Sequence, residues 1–127
     1  MIDYYTQTLY YKARKGDTSI LSDPDVAKFT KSDNLYTNIW QFTPLHWLAR
    51  TGKLEILNHP DVNKVKDAYG STPLYIFFKL HEIKISDLKK LFPKHKRKTK
   101  FEKKKVSMEE VIEILNTPKS VSYILED

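Results

Sequence analysis

Apolar positions in this chain come in short groups, and proline closes four of them. SILSDP ends at Pro24, EILNHP at Pro60, LKKLFP at Pro93 and EILNTP at Pro118. Proline cannot continue a helix and restrains the residue before it, so each group predicts a very short helix with a defined stop. Ahead of the second stop, Leu45, Leu48 and Ala49 recur at i, i+3 and i+4 behind Thr43-Pro44, and Gly52 follows. That spacing predicts one short amphipathic helix, with proline where a missing N–H costs nothing and glycine at the end. Leu54, Ile56 and Leu57 predict a second, very short helix up to His59-Pro60. Residues 61–71 (DVNKVKDAYGS) are polar and carry Asp67 and Gly70, which suits a loop or β-turn before the next Thr-Pro.

The layout repeats. Residues 9–26 align without a gap on residues 45–62 at an offset of 36, with nine identities in eighteen positions. At an offset of 29, Thr43-Pro44-Leu45-His46 falls on Thr72-Pro73-Leu74-Tyr75, and at 58 EILNHP falls on EILNTP. The chain therefore reads as about four helix-turn-helix repeats joined by hairpin loops, near residues 5–36, 37–66, 67–98 and 99–127. Such a unit cannot bury its apolar face alone, so stacking is expected, in one all-α domain over residues 1–127.

These residues resemble the ankyrin repeat, whose signature runs Asp-x-x-Gly-x-Thr-Pro-Leu-His-x-Ala and then x-x-Gly. Residues 67–75 (DAYGSTPLY) and 43–52 (TPLHWLARTG) carry it, and Asp61-Val62-Asn63 matches the family's closing triplet. The resemblance implies an α-solenoid with degenerate first and last repeats. Two departures stand out: Gln41 replaces the glycine before Thr-Pro in repeat two, and the Thr43 to Thr72 spacing of 29 shortens the second helix. In repeat four, the first helix is expected near 99–105 around Phe101. Ser107 and Glu110 form a capping box that opens a second helix through Asn116. Met108, Val111, Ile112 and Leu115 face inward there, Glu109, Glu110 and Glu113 lie at its start and exposed face, and Val121, Tyr123, Ile124 and Leu125 cover the open end.

The resemblance also assigns roles. His46 would hydrogen-bond its own repeat's threonine and the neighbouring backbone, and Trp47 and Tyr11 would share a core position. The binding surface, made of hairpin tips and exposed first-helix faces, would comprise Ile39, Trp40, Phe42, Arg50 and Thr51 in repeat two. Repeat three would add Ala68, Tyr69, Ser71, Lys79 and Leu80, and repeat one Arg14 and Lys15. Trp40, Phe42, Tyr36 and Tyr69, in the hairpin loops, either clamp adjacent loops or contact a partner. Small free-standing arrays of this kind resemble those that viruses, phages and intracellular bacteria use to occupy or block a host protein.

Charge sharpens this picture. The net charge is +6, yet residues 94–105 alone hold Lys94, Lys96, Arg97, Lys98, Lys100, Lys103, Lys104 and Lys105 against one Glu. This stretch is a solvated face, a contact for an acidic protein surface, or a nucleic-acid contact; it also resembles a nuclear localisation signal. With no cysteine there is no disulfide or thiolate chemistry, and the longest apolar run, residues 74–78, is too short for a membrane span or secretory signal. An intracellular, cytoplasmic location follows as the expectation, including an infected host cell. His59, His81 and His95 have no metal-type spacing, three glycines build no phosphate loop, and no nucleophile motif occurs. Sequence thus points to a non-catalytic, cofactor-free module that binds, and by binding inhibits or sequesters, a protein with an acidic surface. The alternative is a basic nucleic-acid-associated protein using residues 94–105.

Overall fold

A computed structural model describes residues 4–29, 40–97 and 105–117, and these are all-helical, with no strand among them. The chain divides into two compact units, Met1–Leu80 and His81–Asp127. The expected third repeat, residues 67–98, thus has its two helices in different units.

In the first unit, α1 (Tyr4–Arg14) precedes a 3-10 turn at Thr18–Ser22, α2 (Pro44–Arg50) precedes a 3-10 turn at Leu54–Asn58, and α3 (Pro73–Leu80) closes the unit. Helices of 7 to 11 residues are too short to persist alone, so packing holds them. α2 lies against both α1 and α3, and the two 3-10 turns touch each other. Leu9, Ala13, Leu45, Leu48, Ala49, Ile56, Leu57, Leu74 and Phe77 form the buried core. The predicted spacing Leu45, Leu48, Ala49 therefore faces inward, and the expected second helices are single 3-10 turns.

Repetition extends to individual hydrogen bonds. Gly16 N–H donates to Ala13 O as Gly52 N–H does to Ala49 O, both at 3.0 Å. Asp23 N–H donates to Ile20 O and His59 N–H to Ile56 O, both at 2.9 Å, so each 3-10 turn ends in the same way just ahead of its proline. Between repeats, Leu45 N–H donates to Val26 O and Leu74 N–H to Val62 O, both at 2.9 Å. The most telling pair spans side chain and backbone. Tyr10 and His46 are 36 apart, Phe42 and Ser71 are 29 apart; Tyr10 Oη donates to Phe42 O at 2.9 Å and His46 Nε2 bonds Ser71 O at 2.8 Å. Two different polar rings tie one helix to the carbonyl just before the next Thr-Pro.

The hairpin turns match as well. Gly70 has φ +80° and Gln41, its counterpart, has φ +54°. Gln41 adopts the left-handed backbone that the missing glycine would supply, at the cost of crowding its Cβ.

In the second unit, α4 (Ile85–Leu91) and α5 (Met108–Asn116) are joined by residues only partly described. Ile83, Leu88, Val106 and Val111 are buried. α5 matches the expected helix through Asn116, with Val111 fully buried and Met108, Ile112 and Leu115 half-buried. Its end repeats the earlier pattern, Thr117 N–H donating to Ile114 O at 3.2 Å. Its start corrects an expectation. Ser107 Oγ accepts from Glu110 N–H at 3.1 Å, but the Glu110 side chain turns into the protein, so only the serine half of the capping box forms. The first helix expected near 99–105 and the closing turn around 121–125 lie outside the described residues, apart from Lys105.

Candidate functional site

The first unit gathers aromatic and cationic side chains. Trp40, Phe42 and Trp47 form a triangle with ring centres 5.1 to 6.1 Å apart. Arg50 places its guanidinium 5.2 Å from the Trp40 ring centre and 5.8 Å from that of Trp47, while Arg14 lies 6.0 Å from Trp47. Arg14 and Arg50 occupy the same repeat position, so the repeat itself delivers two arginines to one indole. Guanidinium groups over indole faces gain cation–π attraction of about 0.5–1 kcal/mol or more each.

Exposure sorts the expected surface residues. Arg50, Thr51, Ala68, Tyr69, Lys79, Leu80 and Lys15 are exposed, and Trp40, Ser71 and Arg14 are half-buried. Phe42 is not a surface residue: it is buried, stacked on His46 at 5.2 Å and edge-on to Trp47. Tyr11 corrects the opposite expectation. Trp47 is 9% exposed at their shared repeat position, whereas Tyr11 is 55% exposed, with Lys15 Nζ 5.5 Å from its ring. Ile39 and Tyr36 lie outside the described residues.

The Tyr69 tip is built rigidly. Asp67, itself buried, accepts from Tyr69 N–H at 2.8 Å and Ser71 N–H at 2.9 Å through one oxygen, while its own N–H donates to Ser71 O. Ala68 N–H donates to Trp40 O at 2.9 Å, joining this tip to the previous one. The result is an aromatic ring, 75% exposed, on an ordered turn. A preordered aromatic loses little entropy on binding.

His46 has no catalytic posture. Thr43 N–H donates to Nδ1 at 3.2 Å, which leaves the proton on Nε2 to donate to Ser71 O. Burial pushes its pKa below the ordinary imidazole value, opposed by the Ser71 carbonyl and the Asp67 charge. A neutral, doubly engaged imidazole is a structural tie. Two donors in the same unit differ: Arg14 Nη1 and Trp47 Nε1 are buried and meet no hydrogen-bond partner. A buried donor left unpaired costs about 1–3 kcal/mol.

In the second unit one residue of the basic stretch departs from its expected place on the surface. Arg97 turns inward and grips Glu110 with two hydrogen bonds, Nε at 3.0 Å and Nη2 at 2.8 Å, and His95 Nε2 lies 3.1 Å from the same carboxylate. Glu110 is 1% exposed, so it leaves the exposed face assigned to it and becomes the anchor of the loop carrying His95 and Arg97. Arg97 accordingly leaves the basic surface. Lys105 bonds exposed Glu82 at 2.8 Å, which holds the Glu82 carboxyl below and the Lys105 ammonium above their usual ranges. Lys94 and Lys96 are exposed; Lys98, Lys100, Lys103 and Lys104 lie outside the described residues. A half-open cavity of about 330 Å³ lined by Ile85, Leu88, Lys89, Phe92, His95 and Arg97 adjoins the cluster. Sequence missed the Glu110 cluster because its members are 13 to 15 positions apart and no periodicity links them.

Among the described residues, no group of three or more His, Cys, Asp or Glu is arranged to hold a metal ion, and no helix is long and apolar enough to cross a membrane. Compared with protein families, curated proteins and solved structures, the chain finds no match.

Proposed function

We propose that the first unit is an ankyrin-like solenoid that binds a partner protein and performs no chemistry of its own. The surface comprises Arg14, Lys15, Trp40, Arg50, Thr51, Ala68, Tyr69, Ser71, Lys79 and Leu80. One observation carries this reading: Arg50, exposed, is stacked on Trp40 and Trp47 in the same unit as the rigid, exposed Tyr69 tip. Arginine and large aromatics held in place are the composition of binding hot spots. Arg14, Arg50 and Lys79, at one repeat position on successive helices, select an acidic partner surface, and occupying that surface would inhibit or sequester the partner.

The test is affinity capture with the full chain, repeated with Arg50→Glu and Tyr69→Ala. Each should weaken capture at least tenfold with unchanged helical circular dichroism, as expected of hot-spot residues. Capture that survives both substitutions overturns the proposal. Binding to random-sequence DNA with a steep salt dependence would replace it with nucleic-acid association through residues 94–105.

A further inference from the structure

We propose that Arg14 and Trp47 are the floor of a carboxylate-binding pocket, covered by Arg50, that takes an Asp or Glu side chain of the partner. The inference rests on the protein-binding reading and supplies its recognition chemistry. It starts from the two buried donors, Arg14 Nη1 and Trp47 Nε1, that meet no acceptor. Both groups can only donate, so only an acceptor satisfies them. Buried polar groups are nearly always hydrogen-bonded, and two orphans on adjoining side chains are a pattern to be explained. Their neighbours specify the acceptor's charge. Guanidinium groups of Arg14 and Arg50 both lie within 6.0 Å of the Trp47 ring centre, which makes the spot strongly positive. No carboxylate pairs with Arg14 among the described residues.

A carboxylate fits on three counts. It is anionic, it offers two acceptor oxygens, and arginine binds it with a planar fork. Access requires Arg50, an exposed residue, to move off Trp47 and its other contacts. An ion pair with the entering carboxylate offsets the interactions that Arg50 gives up. Trp47 itself stays in place, packed against Phe42 and Trp40.

The chain has two tryptophans, so the indole N–H signals in a ¹⁵N correlation spectrum are two, assigned with Trp40→Phe. A short Glu-Ser-Gly repeat peptide should shift the Trp47 indole proton downfield at constant ionic strength, while the matching Gln-Ser-Gly peptide and added chloride should not. Arg14→Gln should abolish the shift. Trp47→Phe keeps an aromatic ring and removes the orphan donor; it should bind the acidic peptide about tenfold more weakly. An indole signal indifferent to the Glu peptide, or one moved equally by chloride, overturns the pocket. If that occurs while partner capture still depends on Arg50 and Tyr69, the pocket fails and the binding surface stands.

Discussion

The two units hold themselves together by opposite means. In Met1–Leu80, equivalent neutral hydrogen bonds recur from one repeat to the next, and no single one dominates. In His81–Asp127, one buried carboxylate collects two bonds from Arg97 and one from His95. A distributed ladder loses little when one rung breaks, whereas a buried charge is indispensable once its partners have been desolvated around it. Glu110→Gln therefore carries the largest expected effect, a destabilisation of about 3–5 kcal/mol. Hydrogen exchange should show it as faster opening of the α5 amides. If the α5 amides keep their protection, the second unit does not depend on the cluster.

Within the ladder, the next effects test whether equivalent positions are equally important. His46 is engaged at both ring nitrogens, Tyr10 through its hydroxyl. His46→Phe strands the Ser71 carbonyl and Thr43 N–H and should cost about 2–3 kcal/mol in urea denaturation, against about 1 kcal/mol for Tyr10→Phe. Equal losses would mean that the Nδ1 contact contributes nothing. The same histidine gives the first unit a pH dependence. Its native pKa lies below the ordinary value of 6.5, chiefly through burial, so as pH falls the unfolded chain takes up the proton first. Stability is complete above about pH 6.5 and declines as pH drops toward the native pKa. His59, shifted the same way by burial, adds a smaller decline because it is partly exposed. Urea midpoints at pH 7.5 and 5.5 should separate in the parent chain and lie closer together in His46→Phe, and an unchanged gap would assign the effect elsewhere.

What could be read from the sequence divides along the same line. Thr43-Pro44, the Leu45, Leu48, Ala49 spacing and the proline stops are local signals, and they reappear as α2 and the two 3-10 turns. Ser107 likewise announced the start of α5. Glu110 was misassigned because a glutamate three residues after a serine has two uses, capping its own helix or pairing with a distant cation. The choice is made by Arg97, 13 residues away, and no local rule contains it. The same limit explains the surface list. Repeat register placed Arg50 and Tyr69 correctly on the outside, but Phe42 took the inward site beside Trp47, and Tyr11 does not share Trp47's burial. Register fixes which way a position points; its burial depends on the neighbouring residues.

The smallest effect concerns the one place where the repeats differ in backbone chemistry. Gln41 and Gly70 both sit in the left-handed region, at φ +54° and +80°, two residues before their threonines. A residue with a Cβ is disfavoured there by roughly 1–2 kcal/mol, and glycine is not. Glycine also gives the unfolded chain more freedom, which cancels part of that gain. Gln41→Gly should therefore stabilise the first unit by a net of about 0.5 kcal/mol, read as a higher urea midpoint with an unchanged slope. The mirror substitution, Gly70→Gln, should destabilise it by a similar amount, since nothing lies within 4 Å of the added Cβ and only the backbone preference is tested. Opposite signs would establish that the two hairpins share one turn geometry despite their different residues. A loss of stability in Gln41→Gly would mean that the glutamine side chain makes a contact of its own at this tip, and that the resemblance between the two turns stops at the backbone.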